Sequence, residues 1–282
     1  MTAEIYAEYL RHLGHKVLRT ASAYWFDAAP RVFSAFPFHA EIAPTGDELS
    51  RVFKQAWCVR FLSKNDGRDS YYYACADKTY DVAQLGQKTR KNTRRALRMW
   101  NVTRVDCDWL SEHGAALDAQ TRVRQGRTVR HAREEWRRRL TVAGTYPGFA
   151  GWAATKGTSV GAVALTFVMG DVAYILMQRS ATEELRQCPN NALTYCVTRT
   201  MLEQPEVRMV FYGQKQLSFQ LNALDQFKVG MGFGHYPVCE VVRVRPVIRP
   251  LVGVLQRIAV PLLDRTPSET LRGISAGISR IC

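Results

Sequence analysis

Between Phe149 and Ser180 the chain reads FAGWAATK, VGAVALTFVMG and VAYILMQRS, three apolar runs separated only by Lys156-Gly157-Thr158-Ser159 and by Gly170-Asp171. Apolar runs of this length bounded by turn residues are strands, and joints this short make consecutive strands antiparallel neighbours. A three-stranded meander is therefore the fixed point around which the rest must fold.

The flanks type the architecture. Upstream, VTRVDCDWL reads as a strand, SEHGAALDAQTRVRQGR as a helix opened by a Ser/Glu pattern and running into Gly126, and HAREEWRRRLTVAGTYPG as a second helix ended by Gly144 and Pro147. Downstream, NNALTYCVTRTMLEQ is a helix with Asn190 or Asn191 as its cap, and VRMVFYG is a buried strand. LSFQLNALDQFKVGMG is then a helix stopped by glycine, with Gly230, Gly232 and Gly234 as stop and tight turn, and HYPVCEVVRVR closes as a strand. The expected class is mixed α/β (α+β).

The first hundred residues form an accessory α/β half. Thr45 or Asp47 is expected to cap a helix in PTGDELSRVFKQAW that buries Leu49, Val52, Phe53 and Trp57. CVRFLS and SYYYACAD, separated by Asn65, Asp66 and Gly67, are expected to pair as a hairpin. In KTRKNTRRALR, Lys91, Arg94, Arg95 and Arg98 share one helical face, which attracts an anion or simply faces water. The expected division is residues 1–100, 101–245 and a basic tail, 246–282.

Composition removes several classes. With 46% hydrophobic residues, 282 residues can bury a full core. A formal charge of +14 attracts polyanions such as RNA, nucleotide phosphates or an anionic membrane surface. The seven cysteines are scattered without a CxxC pair, which fits a reducing cytoplasm. The opening MTAEIYAEYLRHLGHKV carries Glu4 and Glu8 where a secretory signal needs apolar residues, and reads as an amphipathic helix. PVIRPLVGVLQRIAVPLL is too often broken to span a bilayer but can lie on one, and the tail as a whole offers Arg249, Arg257, Arg265, Arg272 and Arg280 to anionic lipid. The histidines lack metal spacing, so no metal is expected. GTSVG fits GxSxG but sits in a strand-to-strand turn, and HAE is followed by no PCxxC, so neither a serine hydrolase nor a zinc deaminase is expected.

Three stretches, in order, carry a family resemblance. GQKTRKNTRRAL is similar to a basic RxxIRRA helix start, CPNNALTY to a PxxLL helix opening, and LDQFKVGMGF to a closing FKxxFG. Over residues 80 to 245 the chain thus resembles the FemAB-like and BioF-like branch of the GNAT acyltransferase superfamily. The resemblance implies a GNAT-type mixed sheet, splayed at its centre and flanked by helices, with the N-terminal half similar to a shortened first GNAT unit. It implies transfer of an acyl or aminoacyl group onto an amine, with nothing permanently bound.

In that fold the helix after the meander aims unpaired N–H groups at the donor, which here implies Asn190, Asn191 and Ala192, with Arg94 and Arg95 as basic approaches. Ordinary acetyl-CoA members carry a glycine-rich loop before this helix to wrap the pyrophosphate. This chain has ATEELRQCPNNAL, without glycine. That departure favours aminoacyl-tRNA over acyl-CoA as donor, although BioF-like members also lack the loop. Lys228 matches the family's motif lysine, implicated in stabilising the reacting carbonyl, and a lysine there also suits a helix C-terminus. Tyr212 and Gln214 fall where the fold faces the acceptor, and Arg124, Gln125 and Arg127 border the same site. Asp225 and Glu240 are candidate bases. A non-catalytic RNA-binding module and a membrane-peripheral protein are the competing readings.

Overall fold

The structure is a computed structural model that describes residues 1–215, 222–248 and 250; the tail arginines from Arg249 on and the first residues of the helix expected at Leu217 lie outside them. In chain order the elements are α1 (Ala3–His12), β1 (Val17–Arg19), β2 (Tyr24–Ala29), β3 (Val32–Phe36), α2 (Gly46–Phe53), β4 (Cys58–Ser63), β5 (Arg68–Cys75), α3 (Gln87–Met99) and β6 (Asn101–Val105). There follow α4 (Cys107–His113), α5 (Ala115–Arg124), α6 (Ala132–Gly144), β7 (Phe149–Lys156), β8 (Ser159–Met169), β9 (Val172–Ser180), α7 (Pro189–Glu203), β10 (Met209–Gln214), α8 (Asn222–Gly230) and β11 (Gly234–Val244). They form two compact units interleaved in sequence. Met1–Tyr9, Tyr73–Gly213 and Ala223–His235 make the first; Leu10–Tyr72, Gln214, Lys215 and the described residues from Tyr236 on make the second.

In the first unit the strands run in the order β10-β9-β8-β7-β6. The expected meander β7-β8-β9 is antiparallel throughout, and β10 joins it parallel to β9. Every residue of β8 from Gly161 to Phe167 is buried, the pattern of a strand covered on both faces. The cover comes from α7, which lies on β7 and β8 with α3 packed against it, and from the group α4–α6, of which α4 meets β7 and α5 meets β9.

Two expectations fail here for local reasons. VTRVDCDWL is a strand only to Val105, because Asp106 accepts the Trp109 N–H at 2.6 Å and starts α4, and capping by a carboxylate outweighs the strand propensity of the following residues. The single helix expected from Ser111 is two, α4 and α5, broken at Gly114. A Cβ at Gly114 would sit 2.4 Å from the buried ring of Trp136, so close approach of α6 demands glycine there.

In the second unit the order is β1-β2-β3-β4-β11-β5. Trp25, Phe33, Val52, Ala56 and Val59 are its fully buried centre. Thr45 does cap α2, in a reciprocal box with Glu48. The Glu48 carboxylate takes the N–H of Thr45 at 2.9 Å and that of Ser22 at 2.8 Å, and these bonds hold its pKa at about 2. Trp57 is not in this core: it follows the helix, is 53% exposed and stacks under Arg31. The hairpin expected between β4 and β5 does not form, because β11 inserts between them, Val244 to Cys239 pairing with Cys58 to Ser63. Gly67, with φ of +109°, is where the β4–β5 connection passes against the Glu240 backbone.

Candidate active site

The site begins with a ladder that stops. Strands β9 and β10 pair through Val172–Tyr174 and Met209–Phe211 only, although β9 continues to Ser180 and β10 to Gln214. At the same level β9 carries an extra residue, Leu176, relative to β8, since Ile175 faces Thr166 and Met177 faces Leu165. A bulge bends its strand away from a straight partner. From Val172 to Ile175 the strand is buried, whereas Leu176 to Arg179 are half-buried. Backbone groups at this parting no longer serve the ladder between the two strands and can meet a ligand.

On the β10 side stand Tyr212, Gly213 and, reaching back from α8, Lys228. Lys228 is 2% exposed; its Nζ lies 4.4 Å from the Tyr73 ring centre, 5.6 Å from that of Tyr212 and 3.7 Å from Asp225 Oδ1. Burial pulls the ammonium pKa below the ordinary lysine value, and the Asp225 carboxylate opposes that pull. Gly213 has φ of +94°, a conformation for glycine, and a Cβ there would come within 3.8 Å of Nζ. Aromatic faces and the Asp225 carboxylate favour the charged form of this lysine, and aromatic faces claim none of its hydrogen-bond directions, so the ammonium can point hydrogens at an oxyanion.

On the β9 side a row of polar groups joins Asn190 and Arg124, expected at the donor and the acceptor, to Gln178, Ser180 and Thr194, which the sequence did not announce. Gln178 Oε1 accepts from the Tyr212 hydroxyl at 2.6 Å and from Thr194 at 3.1 Å, and its Nε2 donates to Asn190 at 3.0 Å. Asn190 donates in turn to Ser180 Oγ at 3.1 Å, and Arg124 donates at 3.0 Å to both the hydroxyl and the carbonyl of Ser180. Beside this row the Asp118 carboxylate, 1% exposed, is held by Arg179 and, at 2.6 Å, by Arg122, which also reaches Glu135. The visible signal was that Gln178 and Ser180 interrupt an apolar strand on alternate positions, one face of it.

Helix α7 opens beside these groups, but not at the expected cap. Cys188 takes the cap position with φ of 58°, Pro189 fills the first turn, and the asparagines fall inside the helix. Proline fixes the helix start two residues early, since its ring presets the helical φ and it has no N–H to lose. Asn190 joins the row described above. Asn191 points to Thr93 and Met231, each at 3.4 Å, and Ala192 is fully buried. Arg95 donates to the Arg186 carbonyl at 2.7 Å and touches Cys188 Sγ, so it stands at the start of α7, while Arg94 is exposed on α3.

Tyr212, Lys228, Asn190 and Arg124 are thus brought to the parting or to the polar row beside it. Gln125 ends α5 and Arg127 follows it, both exposed and outside that row. Gln214 belongs to the second unit, where its amide donates to the Phe38 carbonyl at 2.8 Å. Glu240 is also there, paired with Arg60. Among the described residues no group of His, Cys, Asp and Glu could hold a metal ion, and no helix is long and apolar enough to cross a membrane.

No protein-family model and no curated protein matches the sequence. Solved structures do match. FemX superposes with a TM-score of 0.62 over 89% of this chain and 93% of that one, at 11% identity. The C-terminal domain of a putative lysylphosphatidylglycerol synthetase from Agrobacterium fabrum gives 0.55 over 84% and 87%, also at 11% identity. At such identity the likeness establishes the fold alone: a mixed α/β fold shared with FemX, the class that the order of elements implied.

Proposed function

We propose that this chain is an N-acyltransferase that moves an acyl or aminoacyl group onto an amine where β9 and β10 part. The observation that carries the reading is a buried lysine, Lys228, beside a ladder that ends after three pairs, in a fold shared with FemX. Acyl transfer needs a carbonyl held in a water-poor place, a positive donor for its oxyanion and room for a neutral amine. Backbone groups released at the parting hold the acyl carbonyl, and the Lys228 ammonium faces the oxygen as it gains charge. The amine nitrogen bonds to the acyl carbon, the bond from that carbon to the donor's oxygen or sulfur breaks, and the proton the amine loses ends on that departing atom, relayed by water.

Aminoacyl-tRNA is the favoured donor. The segment before α7 has no glycine for wrapping a pyrophosphate, and α3 presents Lys91, Arg94, Arg95 and Arg98 to solvent without one acidic residue on the helix. Acyl-CoA is the alternative donor. The amine acceptor is a small molecule or peptide, with Arg124, Gln125 and Arg127 proposed around it. The division into an accessory half, an acyltransferase domain and a tail that meets anionic membrane remains part of this proposal, as does a cytoplasmic location.

The test incubates the protein with a pool of radiolabelled aminoacyl-tRNAs and, separately, with labelled acetyl-CoA, each with a mixed amine acceptor pool. Transfer from charged tRNA, lost in Lys228→Met, is expected; transfer from acetyl-CoA alone moves the donor to the alternative. Salt-dependent tRNA binding with no transfer of either label rejects the enzyme in favour of an RNA-binding module.

A further inference from the structure

The polar row on β9 has a direction. An arginine side chain only donates, so Arg124 fills one lone pair of Ser180 Oγ, and Asn190 Nδ2 fills another. That leaves the Asn190 carbonyl to accept from Gln178 Nε2, which turns Gln178 Oε1 toward Tyr212 and Thr194. A carbonyl cannot donate, so the proton of the Tyr212 hydroxyl is committed to Gln178 at 2.6 Å.

We infer that Gln178 is a positioning residue that makes Tyr212 a hydrogen-bond acceptor for the incoming amine. With its proton held, the phenolic oxygen presents lone pairs to an N–H and has no proton to offer an oxyanion. Burial also pushes the Tyr212 hydroxyl above its ordinary pKa, so the oxygen meets the amine as a neutral phenol and not as a phenolate base. Two groups on the β10 side of the parting then divide the work: Lys228 faces the acyl oxygen and Tyr212, its proton held from the β9 side by Gln178, orients the nucleophile. This inference rests on the acyl-transfer reading and names the group that selects an amine within it. It also assigns a shared task to Asn190, Ser180 and Arg124, whose hydrogen bonds run in one sense along the row to Gln178.

The test is binding, so that it is separable from turnover. Protein labelled with ¹³C at tyrosine Cζ is titrated with L-alaninamide as the amine probe, the Tyr212 resonance being the one missing from Tyr212→Phe. The probe is expected to shift that resonance in the wild type. In Gln178→Leu, where the hydroxyl is released, apparent affinity is expected to fall by roughly five- to tenfold, the worth of one neutral hydrogen bond. Gln178→Glu, which keeps an acceptor and adds a charge, covers the case of a leucine variant that fails to fold; it is expected to bind the protonated probe more tightly, and less so in high salt. A Tyr212 resonance that the probe does not move, or affinity unchanged in both variants, overturns the inference. A normal shift without any acyl transfer counts instead against the acyl-transfer reading.

Discussion

Among single residues, Lys228 carries the chemistry proposed for the site. A lysine 2% exposed costs stability in its charged form, and folds tolerate such a residue where its chemistry is used. If the ammonium is the active form, transfer falls as pH rises through its pKa. Burial has lowered that pKa, so the alkaline limb of kcat lies below the ordinary lysine value of 10.5. Lys228→Arg keeps its charge over that range, and a kcat–pH profile is expected to lose the limb. Lys228→Met is expected to lose roughly 100-fold in kcat, the scale for removing one oxyanion donor. Lys228 was legible as a candidate in the motif QFKVGMGF, and Tyr212 as one near the end of a buried strand, β10. Gln178 and Ser180 were not, because a polar residue in an apolar strand acquires meaning only from the side chain opposite, and Tyr212 lies across a gap in the sheet from Gln178; nor was Thr194, a buried hydroxyl on α7.

At the scale of elements, local chemistry was readable where it was self-contained. The meander, the basic face of α3 and the Thr45 cap depend on spacing alone, and all three are present. The β4–β5 hairpin was misread since β11 enters between the strands from the far end of the chain, and no local turn signal reports such a competitor. The cap of α7 was misread because proline at its first position outweighs two good capping asparagines. The capping box of α2 supports a quantitative expectation. Glu48 has a folded pKa of about 2, below its ordinary 4.5, so its contribution is complete above 4.5 and is lost as pH falls from there toward 2. Glu48→Ala is expected to cost about 1–2 kcal/mol in urea unfolding at pH 7. The difference from the wild type is expected to narrow at pH 3; a difference equal at both values would contradict the assignment.

At the scale of the whole molecule, a charge of +14 supplies attraction without selecting a partner, and the arrangement of α3 is what gives it an address. Binding of tRNA is expected to weaken steeply with salt. Arg94→Glu with Arg95→Glu is expected to weaken it for all tRNAs alike and to make the log–log salt dependence shallower by about two charges, measured by filter binding. An unchanged slope would move the polyanion elsewhere on the chain. The units themselves are interleaved, each drawing on both ends of the sequence, which is why motif order revealed the fold class more readily than the partition of the chain. The central claim is that acyl transfer takes place where β9 and β10 part. A crystal structure with a stable amide analogue of an aminoacylated 3′-terminal adenosine tests it most directly. The analogue's carbonyl is expected between Leu176 and Tyr212 with its oxygen toward Lys228 Nζ; an analogue bound with its carbonyl remote from that parting would rule out transfer there.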